Sequence, residues 1–395
     1  MAGSDKQIKV IQLSHASHSF FAKPGDNVKD LILSDFYFRV AKQLQEYSDI
    51  EVECWGPERQ WKEKQVIWGG VKFRFFPTTF SPKYALDFSI PMLKALKQEI
   101  KKCKKENKKL IIHLHEYHNL HGLVIAGLFK NQKIIAQHHG GSWPLKHMKQ
   151  TKNYRYFFPL FLLGQILESR VLKNIKLFFA LSREEIDYLK KKTKGKSRIK
   201  FQTMGIGEEY FKQVSKKEAR KKLKLSNKKI LIFLGRVNEE KGVRYLLDAM
   251  KQLEEKRKDI ELKIIGFGEI KEFQEYAKKL KLKNVEFTGP IFGEKKLLYL
   301  SAADCLVLPS SKEGAPVVVM EALARNLPVV VTDVGGVKQM IENNREGIII
   351  KQKSSEEIVK AVREILKWKK NVRKYAEKYK WKKIIKDTIE EYKKV

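Results

Sequence analysis

Short runs of β-branched and aromatic residues alternate with longer amphipathic stretches along this chain, and the alternation starts afresh halfway. In the first half, IKVIQLS (8–14), IEVECWG (50–56), VKFRFFP (71–77), KLIIHLHE (109–116), KIIAQHH (133–139) and LFFALS (177–182) read as strands, with helical patterns such as PMLKALKQEIKKCKK between them. KKILIFLGRV (228–237) opens a second series, continued by ELKIIGFG, VEFTGPI, DCLVLPS, PVVVTDVGG and EGIIIK, again with helices between. Strands that alternate with helices build parallel sheets covered on both faces. No repeat period recurs in the sequence, which excludes a solenoid. With 395 residues, 43% of them hydrophobic, the chain has material for two such α/β domains. The break is placed near QTMGIGEEYF (202–211), where glycines interrupt the pattern just after the basic stretch KKTKGKSRIK (191–200). The expected domains are 1–204 and 205–371. Residues 372–395, with Tyr375, Tyr379, Trp381, Ile384, Ile385, Ile389 and Tyr392, are expected to form one helix that returns to the first domain.

Open α/β sheets bind ligands beyond the carboxyl ends of their strands, where helix N-termini and free backbone N–H groups converge. The segment LPSSKEGAPVVVMEALARNLPVVVTDVGG (308–336) offers such a place. A strand leads to Glu313, then Gly314, Ala315 and Pro316, then a helix that carries Glu321. Gly314 lets the backbone approach a ligand closely. Pro316 suits a first helical turn, where its missing N–H costs little. The amides of Val317, Val318 and Val319 are expected as open donors at the helix start, suited to a phosphate. Glu313 and Glu321 are eight residues apart, at most ~12 Å at helical rise, a span over which two carboxylates could grip hydroxyls at each end of a nucleotide sugar.

E-G-A-P-x4-E, the run from Glu313 to Glu321, resembles the E-x7-E signature of retaining GT-B glycosyltransferases, specifically glycosyltransferase family 4. FLGRVNEEKG (233–242) is similar to that family's strand-end arginine and downstream lysine, FTGPI (287–291) to its nucleobase-side loop, and AQHHG (136–140) to its T-x-H-G stretch. The linker departs from the family's Pro-Asn start, with Thr203, Met204 and Gly207 instead, and the first strand runs into HASHSFFAKPGDNVKD (15–30) rather than a Gly-Gly loop. The resemblance implies a GT-B fold, two Rossmann-like doubly wound parallel-sheet domains facing across a cleft, the first binding the acceptor and the second the nucleotide sugar. It implies a retaining, metal-independent hexosyl transfer from a UDP- or GDP-linked donor to an acceptor hydroxyl. The implied roles are Glu313 and His139 at the reacting sugar; Arg236, Lys241, Val317 and Val318 on the diphosphate; Gly314, Ala315 and Pro316 beside the sugar; Glu321 on the ribose; and Pro290 and Ile291 on the base side.

Further features narrow the function. Lys and Arg exceed Asp and Glu by 81 to 46, a net charge of +35, which points to anionic partners. The rival reading of that charge is a basic nucleic-acid-binding protein, but no RNP, zinc-finger or helix-turn-helix pattern accompanies it, so nucleic acid is not the expected partner. The rival functions within the same fold are a nucleotide-sugar epimerase and a membrane-associated scaffold whose site is dead. No D-x-D triplet occurs, no G-x-G-x-x-G and no P-loop, against GT-A, nicotinamide and ordinary phosphate-loop enzymes. Three scattered cysteines suggest neither a disulfide framework nor a zinc ribbon. His113 and His115 flank Leu114 on one strand and are read as structural rather than metal ligands. Neither a secretory leader nor a run long enough to span a bilayer is visible, so a cytoplasmic protein is expected. The aromatic–aliphatic block of Tyr154, Tyr156, Phe157, Phe158, Leu160, Phe161, Leu162 and Leu163 lies among basic residues. It suggests peripheral docking on an anionic membrane surface and a lipid-linked or cell-envelope acceptor.

Overall fold

A computed structural model describes residues 7–14, 18, 27–59, 62–79, 87–139, 166 and 168–395. The aromatic block at 154–163 and most of the loop at 15–26 lie outside the described residues. The chain divides into two compact units, Met1–Gln202 with Ile385–Val395, and Thr203–Ile384.

The first unit is built on an eight-stranded sheet. Its strands are β1 (Ile8–Leu13), β2 (Ile50–Glu58), β3 (Lys64–Trp68), β4 (Val71–Pro77), β5 (Lys109–His115), β6 (Lys133–Gln137), β7 (Leu177–Ala180) and β8 (Arg198–Phe201), in the order β3-β4-β2-β1-β5-β6-β7-β8. All neighbours are parallel except β3, which pairs antiparallel with β4. The hairpin was not expected from the sequence: KQVIW carries little apolar signal, and only the Gly69-Gly70 turn, with both φ positive, marks it. Likewise, the basic stretch at 191–200 contains the end of a helix and most of β8. Central strands are mostly apolar because both faces are covered: every residue of β1 is buried, and Ile11, Leu13, Ile112, Leu114, Ile134 and Phe178 share one core. Polar caps start the flanking helices; the Ser89 side chain accepts from the Met92 amide, and that of Asn119 from the Gly122 amide. A buried ion cluster also sits in this unit. Lys9 on β1 is 3% exposed and lies 2.7–3.0 Å from Glu51, Glu53 and Glu99. Burial works against its ammonium, but the three carboxylates outweigh it and raise the pKa.

The second unit holds six parallel strands: β9 (Lys229–Leu234), β10 (Ile260–Ile265), β11 (Val285–Gly289), β12 (Cys305–Leu308), β13 (Val329–Thr332) and β14 (Gly347–Ile350), in the order β11-β10-β9-β12-β13-β14. The order reverses beside β9, at the neighbouring pair β9 and β12, as in doubly wound sheets whose ligands gather at that switch.

The single helix expected over 372–395 is two elements. Arg373–Tyr379 is a 3-10 helix, Lys380 is extended, and an α-helix runs from Trp381 to Lys394. The interruption has a physical cause: the Ile206 amide donates to the Tyr379 carbonyl at 2.8 Å, and the Trp381 amide to the Ile206 carbonyl at 3.4 Å. Gly205 fits there because a Cβ would lie 2.5 Å from the Trp381 ring. Past Ile384 the helix belongs to the first unit. Ile385, Ile389 and Tyr392 are buried there, Gln202 Nε2 donates to Thr388 Oγ1 at 2.9 Å, and Arg198 pairs with Glu391.

Candidate functional site

In the second unit, the loops after β9, β10, β12 and β13 are stitched together by their backbones. The Ser311 amide donates to the Glu240 carbonyl (2.8 Å), the Val237 amide to the Phe267 carbonyl (2.8 Å), and the Gly336 amide to the Gly314 carbonyl (2.6 Å). Two glycines make this approach feasible. Gly242 has φ +71° and a Cβ would meet the Pro309 carbonyl oxygen at 2.1 Å; Gly335 has φ +55° and a Cβ would meet the Glu313 carbonyl oxygen at 2.1 Å.

Side chains converge on this crossing. Lys241 Nζ lies 2.7 Å from Glu313 Oε1, which also accepts from Ser310 Oγ at 2.7 Å, and Lys241 reaches the Lys312 carbonyl at 3.4 Å. The Glu313 side chain is only 11% exposed. The two residues assigned from sequence to sugar and diphosphate thus meet each other directly. Just beyond, the helix Val317–Ala324 begins. Pro316 is its N-cap rather than a first-turn residue, and no side chain caps it. The Val319 amide is not an open donor as expected: it donates to the Pro316 carbonyl at 3.0 Å, because the first helical turn closes tightly. Val317 and Val318 sit half-buried at the start of this helix, as do Gly314 and Ala315 in the loop.

Glu321 lies deeper, 6% exposed, and is held by Lys296, whose Nζ is 2.6 Å from Oε2 and 2.7 Å from Oε1; the ammonium also sits 5.5 Å from the centre of the Tyr210 ring. Arg236 follows β9 and is exposed, with no acid paired to it among the described residues. Pro290 is exposed and Ile291 half-buried at the end of β11, next to the 74%-exposed Phe292. Ser310 and Lys296 escaped the sequence reading. Ser310 occupies a strand-end position that could have flagged it, whereas nothing in the sequence ties Lys296 to Glu321.

His139 belongs to the first unit, at the carboxyl end of β6, in a cluster of histidines and acids. Its ring stacks between His115 (centroids 4.9 Å apart, planes at 7°) and Phe36 (4.6 Å, 9°). Its backbone amide donates to Glu116 Oε1 at 2.7 Å, from a Glu116 held at φ +75°. His138 turns to Glu185, at 3.2 Å, and Glu185 also accepts from Tyr117 OH at 2.7 Å. Burial alone would raise the Glu185 carboxyl pKa; hydrogen bonds from His138, the Leu181 amide and Tyr117 reverse the sign and lower it. His118 contacts Glu168 at 2.8 Å. Burial drives the His113 pKa down to about 3. No group of His, Cys, Asp and Glu among the described residues has the makings of a metal site. His18 contacts Asp35 at 2.8 Å.

Residues 215–382 match the family model described as "Glycosyl transferases group 1". That match lies within the second unit. Among curated relatives, TuaC of Bacillus subtilis, assigned as a teichuronic acid biosynthesis glycosyltransferase, is 36% identical over 149 residues, 38% of this chain and 36% of that protein. The alpha-D-kanosaminyltransferase of Streptomyces kanamyceticus is 30% identical over 152 residues, 38% of this chain and 39% of that protein. The chain thus spans less than two-fifths of these relatives' lengths. Among solved structures, a sucrose-phosphate synthase from Thermosynechococcus elongatus superposes with a TM-score of 0.69 at 17% identity, covering 98% of both chains. Anabaena HepE in complex with UDP gives 0.68 at 15% identity, covering 98% of this chain and 100% of that one. Two parallel-sheet α/β units with such neighbours define the GT-B fold.

Proposed function

We propose that the chain is a retaining glycosyltransferase of family 4, moving a hexose from a nucleotide-diphosphate sugar to an acceptor hydroxyl. The observation that carries this reading is the Lys241–Glu313 contact at 2.7 Å beside the start of the Val317–Ala324 helix, where four strand-end loops are held together. A cation beside a helix start suits a leaving diphosphate. In the proposed reaction the bond from the anomeric carbon to the diphosphate oxygen breaks, and the acceptor oxygen bonds to the same face of that carbon. The acceptor proton passes to the departing phosphate, so no protein nucleophile is required. Arg236, Lys241 and the amides of Val317 and Val318 neutralise the developing charge, without a metal. Glu313 positions sugar hydroxyls beside Gly314, Ala315 and Pro316. Glu321 takes the ribose, Pro290 and Ile291 border the base, and His139 is assigned to the sugar by its sequence motif. UDP-bound HepE and the teichuronic acid relative support a UDP-linked donor and a cell-envelope acceptor.

The test is a thermal-shift screen with UDP-, GDP- and ADP-sugars, followed by transfer of labelled sugar to lipid-linked acceptors. Stabilisation by a nucleotide sugar, lost in Arg236→Ala and Glu321→Ala, is the expected result. No stabilisation by any of the three classes would overturn the proposal. We place the protein in the cytoplasm at an anionic membrane face, on the strength of the charge and the block at 154–163. No described helix is long and apolar enough to cross a membrane. Salt-sensitive co-sedimentation with anionic but not neutral liposomes, reduced when Phe157, Phe158 and Phe161 become serine, checks that placement; equal binding to both would refute it.

A further inference from the structure

Five side chains of the first unit form one continuous hydrogen-bonded run that ends at His139. Gln12 on β1 is fully buried, and its amide faces two ways. Its Nε2 donates to Tyr392 OH at 3.2 Å, and its Oε1 lies 2.5 Å from His115 Nε2. His115 Nδ1 lies 2.7 Å from His139 Nε2. Behind Tyr392, His113 Nδ1 lies 2.6 Å from the phenol oxygen.

Donor and acceptor rules give this run a direction. Tyr392 OH already accepts from Gln12, so its single proton points to His113 Nδ1. Gln12 Oε1 can only accept, so His115 carries its proton on Nε2. A neutral His115 then has an unprotonated Nδ1, and the contact at 2.7 Å requires the proton to come from His139 Nε2. Nδ1 of His139 is left as an acceptor. Neutrality is favoured because the rings stack closely, with His113 and His115 centroids 4.6 Å apart and His115 and His139 4.9 Å apart, so a charge on one opposes a charge on the next.

The geometry points to His115 and Tyr392 as positioning residues that hold His139 in its Nε2–H tautomer, with Nδ1 left unprotonated. The acceptor that fixes the Gln12 amide, the Tyr392 hydroxyl, sits on the helix Trp381–Lys394, far along the chain from the histidine it serves. The catalytic consequence rests on the proposed function, in which His139 borders the donor sugar; the tautomer itself does not.

The two are separated by measuring the tautomer directly. The full-length chain is labelled with 15N-histidine, and the His115 and His139 rings are assigned by their loss in His115→Asn and His139→Asn. Both rings are expected as neutral Nε2–H tautomers at pH 7. In Tyr392→Phe, which keeps the ring and removes the hydroxyl, the His139 signal is expected to move toward a mixture of tautomers. An Nδ1–H or doubly protonated His139 in the unaltered protein, or no change in Tyr392→Phe, overturns the proposal. Where transfer is measured, His115→Leu should lower kcat about tenfold, the worth of roughly one hydrogen bond, with donor KM within about twofold. His115→Asn, whose side-chain oxygen can replace Nδ1, should restore most of it; equal loss in both variants overturns the positioning role. Absence of any glycosyl transfer would refute the function and leave the spectra as the judge of this inference.

Discussion

If Lys241 and Glu313 hold each other in place, their energies must be coupled. The side chains are 20% and 11% exposed, so each was taken largely out of water and depends on the other for compensation. Breaking a fully buried pair by removing one partner costs about 3–5 kcal/mol; residual exposure here brings the expected figure down to about 1–3 kcal/mol. Glu313→Ala and Lys241→Ala should each destabilise the second unit by that amount, roughly 2–10 °C in Tm. The double variant should be less damaged than the two single losses added together, because neither charge is left stranded. The coupling, about 1–3 kcal/mol, is read from a double-mutant cycle by urea or thermal unfolding followed with circular dichroism. Ser310→Ala serves as a control, since it removes a neutral donor from the same carboxylate and should cost only about 1 kcal/mol. Additivity within about 0.3 kcal/mol would show that the contact contributes nothing. The reasoning that Glu313 is preorganised by Lys241 would then fail, even if both residues prove essential to transfer.

Gly335→Ala should lower stability by about 2 kcal/mol or more, since its φ is +55° and the new Cβ would run into the Glu313 carbonyl; a melting curve matching the unaltered protein would refute the close crossing. Arg236→Ala should leave Tm unchanged, because the side chain is exposed, while weakening nucleotide-sugar binding about tenfold or more, as expected for a charged hydrogen bond; calorimetry showing unchanged affinity would remove it from the site. Acid should destabilise the first unit through its buried histidines. Burial holds His121 at about 4 and His113 at about 3, below the ordinary 6.5, so the unfolded chain binds protons first. Stability is then full above pH 6.5 and falls by about 1.4 kcal/mol per pH unit per histidine as pH drops toward the folded values. His121 has no hydrogen-bond partner among the described residues, so His121→Leu should flatten that decline between pH 6.5 and 4.5; an unchanged slope of Tm against pH would contradict its neutral burial.

The parts of the fold legible in the sequence are those fixed by burial on two faces. Runs such as IKVIQL, KILIFL and VVVT admit little but central parallel strands. Edge elements left weaker traces: β3 is half polar, and β8 consists of four residues within a lysine-rich stretch. In the site, Glu313 and Gly314 stood out because strand ends confine where such residues can act, and Lys241 through the resemblance of FLGRVNEEKG to a family motif. Their direct contact did not, since 72 residues separate the lysine from the glutamate. The histidines were visible as letters, but the partners that orient them were not. His113 meets Tyr392 across 279 residues, a distance that no local pattern bridges.

The first unit is completed only by residues 385–395, and this sets an order of events during synthesis. When Gln202 has emerged from the ribosome, the eight strands exist, but the face that receives Tyr392, Ile389 and Ile385 is bare. Thr203–Ile384 must be made in between, which at about 5–20 residues per second takes on the order of ten to forty seconds. The later-encoded unit, contiguous in sequence, can therefore finish folding while the earlier one waits. For that interval Gln12, His113 and the carboxyl-terminal seats provided by Lys109 and Lys133 face solvent without the backbone carbonyls of Lys393 and Val395 that eventually occupy them. Nascent chains stalled before residue 385 and beyond residue 395 should differ sharply in protease resistance of the first unit, because its closing waits for the second unit to be made.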